Sequence, residues 1–269
     1  MKKLLLALLF CTHQLSAGIW GTSKNLFFNY WPHLIYINAM ISSSYLANNY
    51  KTILQTKCTK VEHKKLLDFI NTFNKDTNLN LYYGLPIHFY KVDALALALG
   101  NEDILIIPEY YDLICKTLEK DKLDDNDIVI LNIFKFIILH EIGHLKDNIL
   151  PKLVLMNRSA CIINMILFEL SKRLYNFKYS KVTTYLLLNT VSNYVLGLFL
   201  KSEEFKADDN AQDIDSMKGG ITFFNNIIKL MDKNFVTKLQ IMADLNHPAP
   251  KDRLIRIENR LKALQAMAA

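Results

Sequence analysis

The sequence predicts an α+β protein that is mostly helical, with a small β-sheet beside one long central helix. Three observations support this fold class. Of the 269 residues, 51% are hydrophobic and 22% are charged, which is enough apolar material for a sizeable core. A nearly continuous apolar run over 128–139 predicts a helix that crosses that core. The short apolar stretches 85–92 and 104–107, the second closed by Pro108, predict two β-strands.

Residues 1–17 are predicted to be a signal peptide. Lys2 and Lys3 precede a short apolar core over 4–10, and Ala17 before Gly18 supplies the small residue of a cleavage site. The apolar core is too short to cross a bilayer, and a buried N-terminal helix is the alternative. We therefore expect an exported protein of the periplasm or cell envelope.

Residues 18–84 are predicted to form an N-terminal helical region, and residues 85–269 one domain in which 93–101 is a turn. Within this domain the apolar segments 153–170 and 184–200, joined by the basic stretch 172–181, form a hydrophobic helical hairpin at about 153–200. Either segment is long enough to cross a membrane. Polar residues inside them, such as Arg158 and Asn189, favour amphipathic or buried helices instead, because a bilayer centre penalises such side chains. Membrane association therefore stays open.

Charge and cysteine content exclude two other classes of protein. The net charge is +6 without any dense basic block, so nucleic acid is not an expected partner. Removal of the signal peptide would leave Cys58, Cys115 and Cys161, whose spacing matches no zinc-thiolate site. We expect these cysteines to be small buried hydrophobic residues, and one disulfide remains possible.

The residues that indicate chemistry lie at the C-terminal end of the central helix, in His140-Glu141-Ile142-Gly143-His144. Two histidines four residues apart on a helix are offset by only about 40°, so both imidazoles can reach one metal ion. Glu141 follows the first histidine, where its carboxylate can act as a general base instead of a ligand. Two hydrogen-bonded core histidines are the structural alternative.

A third ligand is predicted in the polar run that follows the second apolar segment. A catalytic zinc site normally has three protein ligands and one water, so two histidines leave it one ligand short. Glu204 is the candidate. Asp208 lies one turn further on the same face and is placed to orient a ligand imidazole. A solvated acidic helix face is the alternative.

Together these motifs resemble the zinc metallopeptidases that include HtpX, the CAAX prenyl endopeptidase and related periplasmic peptidases. The chain shares three elements with them, in order and spacing: His140-Glu141-Ile142-Gly143-His144, the Glu-x-x-Ala-Asp pattern Glu204-Phe205-Lys206-Ala207-Asp208, and His247-Pro248 with Arg253 six residues after the histidine. The similarity runs from about Leu85 to Leu264. Asp93-Ala94-Leu95-Ala96 stands where these proteins usually carry an Asn-Ala-Phe-Ala-like turn.

The resemblance implies a zincin-like fold and a single zinc ion per chain, with the metal held by His140, His144 and Glu204. It implies that Glu141 is the base and that three further residues support the site: Asp208, His247 and Arg253. His247 is expected either to stabilise the oxyanion or to be a fourth zinc ligand, with Arg253 holding its loop.

The expected function is therefore that of a zinc-dependent metalloendopeptidase that hydrolyses peptide bonds of envelope or membrane-associated proteins. Glu141 would assist the attack of zinc-bound water on a polypeptide substrate. A non-proteolytic zinc-containing binding or chaperone-like envelope protein is the alternative, and a zinc hydrolase of non-peptide bonds is a third. The sequence does not determine the natural substrate or the oligomeric state.

Overall fold

The computed structural model describes residues 33–41, 52, 56, 58–74, 79–84, 95–99, 102–174, 180–234 and 247–268. Its strands are β1 (Cys58–Lys60), β2 (Asn80–Gly84), β3 (Ala96–Leu99) and β4 (Asp103–Ile106). Its helices are α1 (Lys64–Asn71), α2 (Pro108–Glu119), α3 (Asp125–Lys146), α4 (Ile149–Leu174), α5 (Ser180–Asp209), α6 (Ile214–Lys233) and α7 (Pro250–Ala268), with a further helical segment at 33–41. A mostly helical α+β chain with a small sheet is therefore confirmed.

The chain forms two compact units. One comprises Met1–Ser44 and Asn157–Thr190, and the other comprises Tyr45–Met156 and Val191–Ala269. The second unit contains the sheet, the main core and every residue of the predicted site. We call it the sheet unit, and we call the first the hairpin unit.

The sheet that gives the sheet unit its name is mixed, in the order β1-β2-β4-β3. Strands β2 and β4 are parallel, whereas β1 and β3 each run antiparallel to their neighbour. Central strand β4 is buried along its length, with Ile104 and Ile106 fully enclosed in the core. Strand β3 lies at an edge of the described sheet.

The strand predictions are confirmed in one place and wrong in two. Strand β4 lies within a residue of the predicted 104–107 strand. Strand β3 falls inside the predicted turn over 93–101, because pairing with β4 makes a strand of an Ala-Leu repeat that has modest β propensity. Strands β1 and β2 lie in the region predicted to be helical. The predicted strand over 85–92 lies outside the described residues.

Helix α3 has a local capping signal at its N-terminus and a break in helical conformation just after its C-terminus. The Asp124 carboxylate accepts from the Asp127 amide while the Asp127 carboxylate accepts from the Asp124 amide, which is a complete capping box. The helix ends at Lys146, and Asn148 adopts a left-handed conformation with φ of 50°. Every residue from Phe136 to Leu145 is buried, so the predicted core-crossing helix is confirmed.

Two other helices pack α3 into the core. Helix α6 approaches it through a glycine pair, because a Cβ on Gly219 would lie 2.0 Å from the Asn132 carbonyl oxygen and one on Gly220 would lie 2.7 Å from the Phe136 ring. Helix α7 directs Ile257 into the same core. The apolar stripe predicted for this last helix packs against the core as expected: Leu254, Ile257, Leu261 and Leu264.

The helices of the hairpin unit are not fully buried, and the sequence predictions of amphipathic helices and of membrane association both stay predictions. Many of its large apolar side chains are about half exposed. Two described helical stretches are long and apolar enough to cross a membrane: Asp125–Lys146, which is the 67% buried core helix α3, and Ile149–Ser171 of α4, which is 22% buried. The cysteines at 58, 115 and 161 are free thiols, and Cys115 and Cys161 are buried as expected.

Candidate metal centre

Helices α3 and α5 bring three potential metal ligands together. The Nε2 atoms of His140 and His144 are 3.1 Å apart. The Glu204 carboxylate lies against both, with Oε2 3.5 Å from His140 Nε2 and Oε1 3.3 Å from His144 Nε2. All three side chains are buried, and the three donor atoms lie within 4.8 Å of one another.

The donor set fits a divalent metal ion such as zinc. Ligand bonds of 2.0–2.1 Å in tetrahedral geometry place neighbouring donors about 3.3 Å apart, close to the spacings seen here. Imidazole nitrogen and carboxylate oxygen are both zinc ligands. The buried groups carry a formal charge of −2, from the carboxylates of Glu141, Glu204 and Asp208 and the guanidinium of Arg253, which a divalent cation would balance. This buried group could hold a metal ion.

A close helix contact places the ligands. A Cβ on Gly143 would lie 2.7 Å from the Cα of Ala207, so the glycine lets the backbones of α3 and α5 meet. Beyond this contact, Asn210 Nδ2 donates to the Leu139 carbonyl oxygen at 2.6 Å. The two small residues therefore lie between His140 and His144 on one helix and beside Glu204 on the other, where a larger side chain would separate the donors.

Asp208 fixes the first histidine. Its Oδ1 lies 2.9 Å from Nδ1 of His140, which directs Nε2 of the same ring toward Glu204. Arg253 donates to both Asp208 oxygens, at 2.7 Å from Nε and 2.6 Å from Nη2. Burial alone would raise the pKa of the Asp208 carboxyl, but the Arg253 charge and the His140 bond outweigh it and lower the pKa. The carboxylate is therefore ionised and able to orient the imidazole.

Arg253 and His247 both contact the candidate ligand Glu204. Arg253 Nη1 is 3.0 Å from Oε2, and His247 Nδ1 is 3.2 Å from Oε1. Despite burial, the bonds from His144 and His247, together with the charge on Arg253, hold the pKa of Glu204 well below its usual range. Arg253 is buried over the Phe224 ring, whereas the side chain of His247 is half exposed. The structure thus brings all the predicted site residues into one cluster.

Glu141 lies beside the cluster but outside the group of three ligands. Its Oε2 accepts a 2.6 Å hydrogen bond from the backbone N–H of Ala98 on strand β3. Burial raises the pKa of its carboxyl above the ordinary value, although the neighbouring histidines oppose that rise. A buried carboxyl with a raised pKa is a suitable general base.

Several contacts at this site were not anticipated from the sequence. Arg260 donates to the backbone carbonyls of Asp208, Asp209 and Ala211 and so caps the C-terminal end of α5. Arg256 pairs with the Asp209 carboxylate. The one available signal was the spacing of these arginines, three and seven residues after Arg253, which puts all three on one face of α7.

Comparison with known proteins assigns the chain to no family. The sequence matches no protein-family model and no curated protein.

Proposed function

We propose that this protein is a zinc-dependent metalloendopeptidase. The observation that carries the proposal is the convergence of His140, His144 and Glu204 from two helices beside a buried carboxylate, Glu141, that is not one of the three ligands. A purely structural metal site has no need of such a fourth group. The resemblance to HtpX and the CAAX prenyl endopeptidase, carried by three ordered motifs, supports the same reaction class and a zincin-like fold.

The two histidines and Glu204 would hold the zinc ion. When bound, it would supply Lewis acidity, which polarises a peptide carbonyl and makes a water molecule more acidic. Glu141 removes a proton from the attacking water at its carboxylate and then delivers it to the leaving amine. The amide of Ala98 holds this carboxylate in place, and the raised pKa lets it receive the proton.

Strand β3 is the proposed binding edge for an extended polypeptide. Its pairing with β4 occupies one side of the strand, and the Ala98 amide points from the other side toward Glu141. A peptide added along this side would form backbone hydrogen bonds that require no particular side chain, with its chain next to the base. The proposed substrates are unfolded or extended segments of envelope or membrane-associated proteins.

His247 and Arg253 complete the proposed machinery. His247 lies at the exposed rim of the cluster, against Glu204, where it can stabilise the oxyanion or enter the metal coordination. Arg253 is a positioning residue, because it touches Glu204 and Asp208 and lies behind them.

The test is cleavage of an unfolded polypeptide such as casein by the purified full chain, together with zinc analysis. Glu141→Gln should lower the cleavage rate by about 10²–10⁴-fold, the usual contribution of a general base, while the zinc content stays at one ion per chain. Glu62→Gln, the same change at an exposed position, is the matched control. Full activity in Glu141→Gln would refute the base assignment. A zinc-loaded wild-type protein that cleaves nothing would favour the binding or chaperone-like alternative.

A further inference from the structure

The helices of the hairpin unit expose large apolar side chains. Six such side chains of α4 and α5 within this unit are between 48% and 61% exposed: Ile162, Ile163, Ile166, Leu170, Leu186 and Leu187. They recur at helical spacing on one face of each helix. A continuous apolar face of this kind marks a surface that is covered by something other than water.

Three polar residues of the same helices have partners or are buried within the hairpin unit. Asn164 is 4% exposed. Asn189 donates to the Tyr36 hydroxyl at 3.2 Å and to the carbonyl of its own helix at Tyr185. His33 Nε2 lies 3.0 Å from a carboxylate oxygen of Glu169, whose side chain is 46% exposed. Pairing inside a bundle is how polar residues are accommodated in a bilayer.

Length and charge identify the partner as a lipid bilayer. The span Ile149–Ser171 has 23 residues, or about 34 Å of helix, and residues 182–200 carry no charged side chain over about 28 Å. The hydrocarbon core of a membrane is about 30 Å thick. Arg158 lies about 13 Å into α4, where a long side chain can reach the nearer interface.

The stretch between the two helices indicates which side of the membrane it occupies. Residues 172–181 contain Lys172, Arg173, Lys178 and Lys181, no acidic residue, and aromatic residues at 175, 177 and 179. Short basic segments stay on the cytoplasmic side, where anionic lipids attract them, and aromatic rings favour the interface. Because the chain enters through α4 and returns through α5, the end of α5 that carries Glu204 would lie on the opposite side.

We propose that the hairpin unit is embedded in a lipid bilayer, with the basic stretch 172–181 at the cytoplasmic face and the candidate ligand Glu204, at the other end of α5, on the exported side. This inference concerns location and is independent of the peptidase reaction. The signal peptide predicted for residues 1–17 implies the same orientation, because it would export the part of the chain that precedes α4.

Membrane extraction tests the embedding. The full chain expressed in a bacterial host should stay in the membrane pellet after alkaline carbonate washing. The double variant Ile163→Asp/Leu187→Asp should be released into the soluble fraction, because two charges would face the acyl chains. Leu113→Asp/Leu230→Asp, at comparably exposed positions of the sheet unit, should stay in the pellet. The zinc content of each purified protein shows whether the sheet unit has folded. Release of the wild-type chain by carbonate washing would overturn the proposal. If the released chain is a dimer in size-exclusion chromatography, a second copy of the chain covers the apolar side chains instead of lipid.

Cysteine labelling tests the orientation. Asp121→Cys, exposed in the sheet unit, should react with a membrane-impermeant maleimide in intact spheroplasts. Asn176→Cys, in the basic stretch, should react after permeabilisation and not before it. The parent chain, with Cys58 half buried and Cys115 and Cys161 buried, gives the background. The reverse labelling pattern would overturn the orientation, and labelling of both positions in intact spheroplasts would overturn the span.

Discussion

Four buried ionisable side chains determine the protonation states at the candidate metal centre: Glu141, Glu204, Asp208 and Arg253. Glu204 and Asp208 are held ionised by Arg253 and by the histidines, whereas burial raises the pKa of Glu141. Two carboxyls on one helix are therefore suited to binding a cation and orienting a ligand, while the third, on the neighbouring helix, is suited to exchanging a proton. Burial and neighbouring charge assign these roles, since the side chains are chemically alike.

The first prediction at this scale concerns Asp208. Asp208→Asn preserves the side-chain volume but removes the charge that faces Arg253 and weakens the bond to His140. We expect the zinc affinity to fall by about 10–100-fold, which is the usual cost of losing a residue that orients a metal ligand. Competition with a chromophoric chelator measures this affinity. Asp209→Asn, next in sequence but directed toward Arg256, should leave it unchanged. Equal affinities in the two variants would contradict the role of Asp208.

The second prediction concerns the ligand Glu204. Glu204→Gln replaces an ionised oxygen donor with a weak neutral one and leaves Arg253 without its second carboxylate. We expect the purified variant to contain far less than one zinc ion per chain. Glu203→Gln is an informative neighbour, because Glu203 pairs with Lys152 and Lys206 and not with the histidines. Tight zinc binding by Glu204→Gln would remove this residue from the ligand set.

At the scale of elements, the centre depends on how closely α3 and α5 approach. Gly143 and Ala207 allow backbone contact between the helices, and Arg260 caps the C-terminal end of α5 just beyond Asp208. Strand β3 approaches the same end of α3 and contributes the Ala98 amide. The donor distances are therefore a property of element packing as well as of the ligand side chains.

The third prediction tests this packing. Gly143→Ala adds a methyl group 2.7 Å from the Ala207 Cα, and a backbone atom cannot rotate away as a side chain can. We expect a loss of about 1–3 kcal/mol in unfolding free energy, typical of overpacking, together with weaker zinc binding. Urea denaturation and chelator competition measure the two effects. Asn126→Ala, exposed in the first turn of the same helix, is the control and should affect neither quantity appreciably. An unchanged zinc affinity in Gly143→Ala would show that the close contact is not required.

At the scale of the whole molecule, a metal ion would join distant parts of the chain. His140 and Glu204 are separated by the entire hairpin, and Arg253 approaches from the last helix. Without a cation, the carboxylates at the centre repel one another in a buried environment. Metal binding to the folded state should therefore stabilise the sheet unit as a whole.

The fourth prediction follows from this linkage. Free zinc at about 100 times its Kd should stabilise the folded protein by about 2.7 kcal/mol relative to the chelated form, provided that the unfolded chain binds zinc weakly. Thermal denaturation with and without chelator should show a higher Tm in the presence of zinc. The Glu204→Gln variant should have the same Tm in both conditions. A wild-type Tm that does not respond to chelator would contradict metal binding at this cluster.

The sequence by itself determined the helical class and the main elements around the site. The apolar run over 128–139 predicted α3, because this signal is local. The i, i+4 spacing of His140 and His144 predicted their common direction for the same reason. Strand β3 escaped prediction, because its pairing partner rather than its own composition makes it a strand.

Only the tertiary structure decided which distant groups meet and which helix faces are exposed. Three contacts at the site depend on packing between elements that are far apart in sequence. They join Glu204 to His140, Arg253 to Asp208, and the Ala98 amide to Glu141. Exposure in the hairpin unit also depends on tertiary structure. In the sequence Asn164 and Asn189 argue against a membrane span, whereas in the structure Asn164 is buried and Asn189 donates to the Tyr36 hydroxyl. A sequence gives the spacing of residues along one element, whereas burial and contact depend on all the elements together.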